Sequence, residues 1–310
     1  MKHFAFCVND AYVPYIAVTI KSIRVHHPDE GLVFHILTDG VSEKNRARLQ
    51  DEVADDPGVS CHIITVDRSK VCRLRKGKQH ESVWYRVLLP EYLSDDVHRV
   101  LFLDADTLVT GSLDALFELD LDGRSVAGCL DPLSFNADTF ERLEYDPSLK
   151  YLCAGVLMIN LDYWREHGLE ERIIAFATDQ AERLRFWDQD AVNYVCRDTK
   201  LVLPLRYGVM SCFFWPAWVG RIGSKEELRE CLLDPAIIHF AGNAPWKKEL
   251  SRMLFHEDWQ RYNKMLRRPV VRRYSLKGFK LLKLFAWNIV FPGKRKDRLI
   301  TREKALKFIS

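Results

Sequence analysis

Two carboxylates, Asp104 and Asp106, stand two residues apart where the apolar run Val100-Leu101-Phe102-Leu103 stops. In extended geometry residues i and i+2 share a face, so both side chains can converge on one hard divalent cation. Magnesium or manganese held by two carboxylates completes its shell with water and phosphate oxygens, which makes a nucleotide diphosphate the natural third party. Taken alone, an Asp-x-Asp triplet also fits a turn or a helix cap. A second apolar run, Ile237-Ile238, ends in His239 and is followed by Gly242, Lys247 and Lys248. A lone histidine is more often a structural hydrogen-bonding group than a ligand. Here, however, the glycine lets backbone approach a phosphate, and the lysines can neutralise it.

The elements that must position these groups read as an alternation. Phe4 to Val8 is a short buried strand. Within Pro14 to Val25 the residues Ile16, Ile20 and Ile23 recur at helical spacing, and His26-His27-Pro28 ends that helix because the residue before proline avoids helical backbone. Leu32 to Leu37 is a second strand, Ser42 begins a helix with Glu43 in its first turn, and His62 to Val66 is a third strand. Such alternation implies an α/β fold with a parallel sheet and covering helices. Val100 to Leu103, apolar throughout, reads as a central strand buried on both faces. Open parallel sheets carry their ligand sites at the carboxyl ends of strands, where Asp104 stands. Tyr151 to Asn160 and Ala236 to His239 read as later strands, and Phe213 to Trp218 is an aromatic patch without an assigned place.

Composition bounds the class. The chain has 310 residues, 47% hydrophobic and 29% charged, as an ordinary globular protein does. Its net charge of +3 is too small to imply a nucleic-acid partner, and no recognition motif for one is present. Eight scattered cysteines match neither a zinc site nor a disulfide framework, so a cytoplasmic protein is expected. Met1-Lys2-His3-Phe4 leads straight into a strand, and no apolar run approaches about 18 residues, so neither secretion by a signal peptide nor membrane spanning is expected. Basic residues crowd the end of the chain, which divides the expected organisation into a domain of residues 1–266 and a tail of residues 267–310. From Tyr274 to Val290, Phe279, Leu281, Leu282, Phe285 and Ile289 would share a broad helix face, with Lys277, Lys280 and Lys283 roughly opposite. Such a helix suits the anionic inner face of the cytoplasmic membrane, or packs on the domain with a solvated basic edge.

Several short motifs occur in order: Phe6-Cys7-Val8-Asn9-Asp10-Ala11-Tyr12, Trp84-Tyr85-Arg86, Leu103-Asp104-Ala105-Asp106, Cys153-Ala154-Gly155-Val156-Leu157-Met158-Ile159-Asn160, Trp187-Asp188-Gln189-Asp190 and His239-Phe240-Ala241-Gly242. On these the chain, from Phe4 to about Trp246, resembles the retaining glycosyltransferases of family 8, a family that includes bacterial lipopolysaccharide galactosyl- and glucosyltransferases and glycogenin. The resemblance implies a GT-A fold, a Rossmann-like and mostly parallel sheet flanked by helices. It implies UDP-hexose as donor, manganese (or magnesium) as cofactor, and as acceptor a saccharide of lipopolysaccharide or another surface glycan, free or lipid-linked.

Residue by residue, the resemblance makes Asp104, Asp106 and His239 the metal ligands. Tyr12 would stack on uracil beside Asn9, and Arg86 would reach toward the donor diphosphate or sugar. Ala105, Gly242 and Lys247 would border the same nucleotide. Asp188 would hydrogen-bond the hexose, and Gln189 would sit at the anomeric face open to attack. Cys153 would lie at the donor sugar, with Asp131 and Asp190 as hydroxyl-binding groups near the acceptor. An amide is a poor nucleophile, so retention would proceed by front-side attack, the departing phosphate taking the acceptor's proton. Three departures stand out: Asn9 where many members are acidic, Cys153 where many have asparagine, and a shortened histidine motif lacking the lysine before Pro245, a charge that Lys247 or Lys248 could supply. With those departures, a nucleotide-sugar-binding protein without transfer activity is the alternative reading.

Overall fold

The computed structural model describes residues 1–74, 77–248, 253–274 and 300–310. Its strands are β1 (Lys2–Cys7), β2 (Leu32–Thr38), β3 (Val59–Thr65), β4 (Arg99–Leu103), β5 (Thr107–Val109), β6 (Val126–Leu130), β7 (Leu152–Asn160), β8 (Lys200–Val202) and β9 (Ile237–His239). Seven form one sheet in the order β3-β2-β1-β4-β7-β6-β8, while β5 and β9 pair apart from it. From β3 across to β4 every neighbour is parallel, as the strand and helix alternation predicts. Past β4 the sheet changes: β7 runs antiparallel to both β4 and β6, and β8 is parallel to β6. Nothing in the apolar run of β7 specifies its direction, because a strand buried on both faces reads alike either way.

The two faces of the sheet carry two cores. Along β1, Phe4 and Phe6 point into one and Ala5 into the other; along β4, Leu101 and Leu103 oppose Val100 and Phe102. That period of two explains the uninterrupted apolar sequence. Helix α1 (Val13–His26) ends where His27 and Pro28 predict, and its buried face packs on the β1 side that holds Phe4 and Phe6. Helix α2 (Glu43–Val53) begins after Ser42, whose backbone N–H and hydroxyl both donate to Asp10 Oδ1 at 2.9 and 3.0 Å, with Asn45 Nδ2 at 2.8 Å. The loop leaving β1 is thereby tied to the start of α2, which fixes where Asn9 and Tyr12 emerge.

Strand β9 departs from a simple continuation of the sheet. It pairs antiparallel with β5, in the register Thr107 to His239, Leu108 to Ile238 and Val109 to Ile237. Buried hydroxyls of α1 hold this ribbon in place: Thr19 donates to the Thr107 carbonyl at 2.8 Å, and Val109 N–H donates to Ser22 Oγ at 3.0 Å. Of the aromatic patch, Phe213 and Phe214 are fully buried, Trp215 and Trp218 are half-buried, and Pro216 and Ala217 are exposed.

Residues 267–268 dock on α2, Arg267 N–H donating to Glu52 Oε1 at 3.0 Å and Arg268 pairing with Asp51 at 2.7 Å. The closing helix Arg302–Ile309 buries Ala305 and Ile309 in the same core as Phe4 and lies against the helix Lys225–Leu233. The amphipathic helix expected over 274–290 lies, beyond Tyr274, outside the described residues. Among those described, no helix is long and apolar enough to cross a membrane.

Candidate active site

Asp104, Asp106 and His239 meet at the floor of a cleft of about 670 Å³ along the carboxyl ends of β1 and β4. The backbone makes the meeting inevitable. Thr107 returns both its N–H (3.2 Å) and its hydroxyl (2.8 Å) to the Asp104 carbonyl, which closes a tight turn through Ala105 and Asp106. The β5 and β9 register then sets His239 opposite Thr107, and Phe240 N–H donates to the Asp106 carbonyl at 2.9 Å. His239 Nε2 lies 3.3 Å from Asp106 Oδ1 and 3.8 Å from Asp104 Oδ2. A six-coordinate hard cation with bonds of about 2.1 Å sets neighbouring ligand atoms about 3 Å apart, so these three donors fit such an ion. Gly242 N–H holds the second Asp106 oxygen at 3.1 Å, in a turn where Ala241 (φ +46°) and Gly242 (φ +82°) are left-handed.

The imidazole sits directly over Gly155 of β7. A β-carbon there would lie 2.2 Å from His239 Cε1, so only glycine leaves room for the ring. Cys153 Sγ, two residues back along β7, lies 3.3 Å from Nδ1, which leaves Nε2 facing the carboxylates. Gly155 also accepts the Asp104 N–H at 2.8 Å, so a single residue of β7 positions two of the three candidate ligands.

Arg86 is buried beneath this floor, over the Phe102 ring with its guanidinium carbon 4.0 Å from the centroid. Its Nη2 donates to Asp104 at 2.8 Å, its Nε lies 3.0 Å from Asp188 Oδ2, and its Nη1 reaches the Ala154 carbonyl. Burial pushes the Asp188 carboxyl up to about 7; the guanidinium opposes that rise and the Asp104 charge adds to it. Burial likewise raises Asp131. The Arg86 guanidinium therefore offsets Asp104 and Asp188, which would otherwise repel each other in a dry site.

The turn carrying Gln189 is backbone-strained, with Trp187 in the left-handed region at φ +44° at the start of the helix Trp187–Val195. Asp190 holds it. Fully buried, this carboxylate takes the N–H groups of Arg185 and Phe186 at 2.7 and 2.8 Å, the Tyr151 hydroxyl at 2.7 Å and two Arg142 nitrogens at 2.9 and 3.2 Å. Gln189 Oε1 accepts the Ala154 N–H at 2.8 Å, and its Nε2 is 3.4 Å from Asp131 Oδ2. Asn193 bonds both backbone groups of Leu152 and the Gln189 carbonyl, stitching the helix to β7.

Of the residues singled out from sequence, Asn9, Tyr12, Arg86, Asp104, Ala105, Asp106, Asp188, Gln189, His239, Gly242 and Lys247 all border the cleft. Asp131 and Cys153 stand one contact behind it, on Gln189 and His239. Asp190 is set apart, its oxygens taken up by the five donors just named. Tyr12 is exposed at the rim, edge-on to Trp246, and Asn9 presents a buried side-chain oxygen with no hydrogen-bond partner among the described residues. Sequence reading missed Gly155, Trp187 and Trp246, and also Cys7, Gln79 and His80, which line the cleft. A glycine inside an otherwise unbroken strand was the available signal for Gly155, since it marks close approach of another group.

The model of the family described as Glycosyl transferase family 8 matches residues 3–249. General stress protein A of Bacillus subtilis (strain 168) is 23% identical over 253 residues, covering 79% of this chain and 87% of that protein. Lipopolysaccharide 1,2-glucosyltransferase of Escherichia coli is 25% identical over 261 residues, covering 82% of this chain and 73% of its own. Among solved structures, galactosyltransferase LgtC in complex with donor and acceptor sugar analogues has a TM-score of 0.76 at 22% identity, covering 91% of this chain and 99% of that one. The shared architecture is the GT-A fold, with its mostly parallel sheet and flanking helices. With the family model matching over most of its length, the chain belongs to glycosyl transferase family 8 and is a glycosyltransferase.

Proposed function

We propose that this enzyme transfers a hexose, galactose or glucose, from UDP to a saccharide acceptor of lipopolysaccharide or another surface glycan, retaining the anomeric configuration and using manganese or magnesium. The observation that carries the proposal is the convergence of Asp104, Asp106 and His239 at ligand spacing on the cleft floor. When bound, the ion supplies Lewis-acid stabilisation of the diphosphate leaving group. The two relatives described above whose names state an activity, the E. coli glucosyltransferase and LgtC, support the hexose assignment.

The chain's own residues divide the remaining work. Tyr12 offers a rim ring for the base, and Asn9 offers its unpartnered oxygen to a base N–H. Lys247, at the cleft wall, adds positive charge where the leaving phosphate gathers negative charge. Asp188 accepts from sugar hydroxyls, and Gln189, held by Ala154, presents its amide to the anomeric face. Front-side attack forms the new glycosidic bond as the bond to phosphate breaks, and the acceptor's proton passes to the departing phosphate. Asp131 and Cys153 bound the sugar side through Gln189 and His239, and Asp190 serves by holding the turn. The basic residues of 267–310 bring the enzyme to the anionic inner face of the cytoplasmic membrane, where lipid-linked acceptors are presented.

Calorimetric titration of UDP into the intact enzyme, with manganese and with chelator, tests the donor site. Binding is expected only with metal and is expected to vanish in Asp106→Ala; binding indifferent to both changes refutes the reading. Release of UDP from UDP-galactose or UDP-glucose in the presence of saccharide acceptors then tests transfer, and tight UDP binding with no release from either donor favours a binding protein.

A further inference from the structure

Behind the nucleotide end of the cleft lies a second cavity of about 410 Å³. Trp246 and Lys247 border both spaces, and Tyr15, stacked on Trp246 with ring centroids 3.7 Å apart, faces the second one. Its charged lining is wholly cationic: Lys44 and Arg48 from α2, Lys247, and Arg273 from the segment that crosses α2, with no aspartate or glutamate among the lining residues. Lys44, Lys247 and Arg273 make no ion pair with a carboxylate among the described residues. Arg48 is only 9% exposed; one nitrogen bonds the Arg268 carbonyl, and its buried Nε has no hydrogen-bond partner among the described residues. Pro14, Pro269 and Val270 supply an apolar side.

Gathering like charges around a half-enclosed space is unfavourable until an anion enters it, and guanidinium groups match phosphate geometry with paired N–H donors. We propose that this cavity binds a phosphate ester, its oxygens among Lys44, Arg48 and Arg273 and its carbon portion against Pro269 and Val270. The assignment is independent of the donor reading, since none of these three cations borders the donor cleft. A soluble phosphate ester and a phospholipid headgroup share the required chemistry.

The test uses the intact chain with chelator present, so that no divalent ion recruits phosphate to the donor cleft. Phenyl phosphate is titrated by calorimetry into the wild type, Asp106→Ala, and the double variant Lys44→Gln/Arg273→Gln, whose two positions are exposed and leave the cores untouched. In parallel, the same proteins are co-sedimented with phosphatidylglycerol or phosphatidylcholine vesicles at 150 mM salt. Binding in either arm should weaken at least tenfold in the double variant and stay unchanged in Asp106→Ala. A deficit confined to phenyl phosphate identifies a soluble ester; one confined to phosphatidylglycerol vesicles identifies a lipid headgroup when Lys44→Gln alone, outside residues 267–310, also produces it, whereas a vesicle deficit that needs Arg273→Gln reports the basic segment only and overturns the cavity site. The proposal is overturned if the double variant matches the wild type in both arms, or if Asp106→Ala loses the binding, which would put the ligand in the cleft. Unchanged manganese-dependent UDP binding by the double variant confirms that it is folded.

Discussion

Replacing Gly155 by alanine adds one methyl group, and its three nearest atoms would all belong to His239: Cε1 at 2.2 Å, Nε2 at 2.7 Å and Nδ1 at 2.8 Å. Relief to ordinary contact requires the ring to shift by about 1 Å, which also disturbs its 3.3 Å contact with the Cys153 thiol. Metal ligands tolerate displacements of only about 0.2 Å, so His239 would lose the ligand position proposed for it. Disturbing the support of a ligand costs about 10- to 100-fold in metal affinity, and losing the ligand itself should cost at least that much. Manganese-dependent UDP affinity is therefore expected to fall by about 100-fold, with about 1–3 kcal/mol of stability lost to overpacking. The assay is a cycle of wild type, Gly155→Ala, His239→Ala and the double variant, read by UDP calorimetry and by urea unfolding. Without the ring the methyl has nothing to displace, so Gly155→Ala should cost little in the His239→Ala background. Wild-type affinity in Gly155→Ala, or an equal stability loss with and without the ring, would refute the argument.

Three further outcomes follow from other contacts. Asp190→Asn leaves one acceptor oxygen for five donors and removes the close carboxylate partner of the part-buried Arg142, so urea unfolding should show a loss of about 3 kcal/mol, accompanied by reduced turnover as the Trp187 turn relaxes. Gln189→Ala should lower kcat with little change in UDP affinity, because its amide, held by Ala154 and Asp131, is proposed to face the sugar rather than the nucleotide; a selective loss of UDP binding would contradict this. The buried Lys200 amine is depressed from 10.5 to about 7 by burial, with Cys196 and Asp198 opposing the shift. Between those values the unfolded chain holds a proton that the folded protein has shed, so stability rises with pH across the window. Relative to Lys200→Met, the wild type should gain about 2 kcal/mol between pH 7 and 9, measured by urea unfolding at each pH.

Strands β1 and β4 could be read because both faces of each are buried, which writes an unbroken apolar run ending abruptly at the site. Helix α1 was legible from the spacing of its isoleucines and from Pro28. Direction and partner were not: β7 looks the same whether parallel or antiparallel, and β9 carries no mark that it pairs with β5 instead of joining the sheet. Those choices depend on contacts between residues far apart in sequence. The same limit applies within the site. That Asp104, Asp106 and His239 converge was foreshadowed by residue type and position, whereas the use of Asp190 as a backbone clamp depends on Arg142 and Tyr151, which no local pattern links to it. Lys78, Gln79 and His80 enter the cleft from a polar stretch whose composition resembles any loop.

The pairing of β5 with β9 also bears on when the site can exist. Asp106 and His239 are brought together only after the chain has passed through β6, β7 and β8 between them, so a nascent chain still lacking β9 presents two aspartates without the histidine. An ion that requires all three donors therefore adds no stability to partly folded forms and acts on the completed domain alone, by mass action. Manganese should thus raise the unfolding midpoint while leaving early folding phases unchanged. Loss of that metal response would report disruption of the ribbon even where the sheet itself survives.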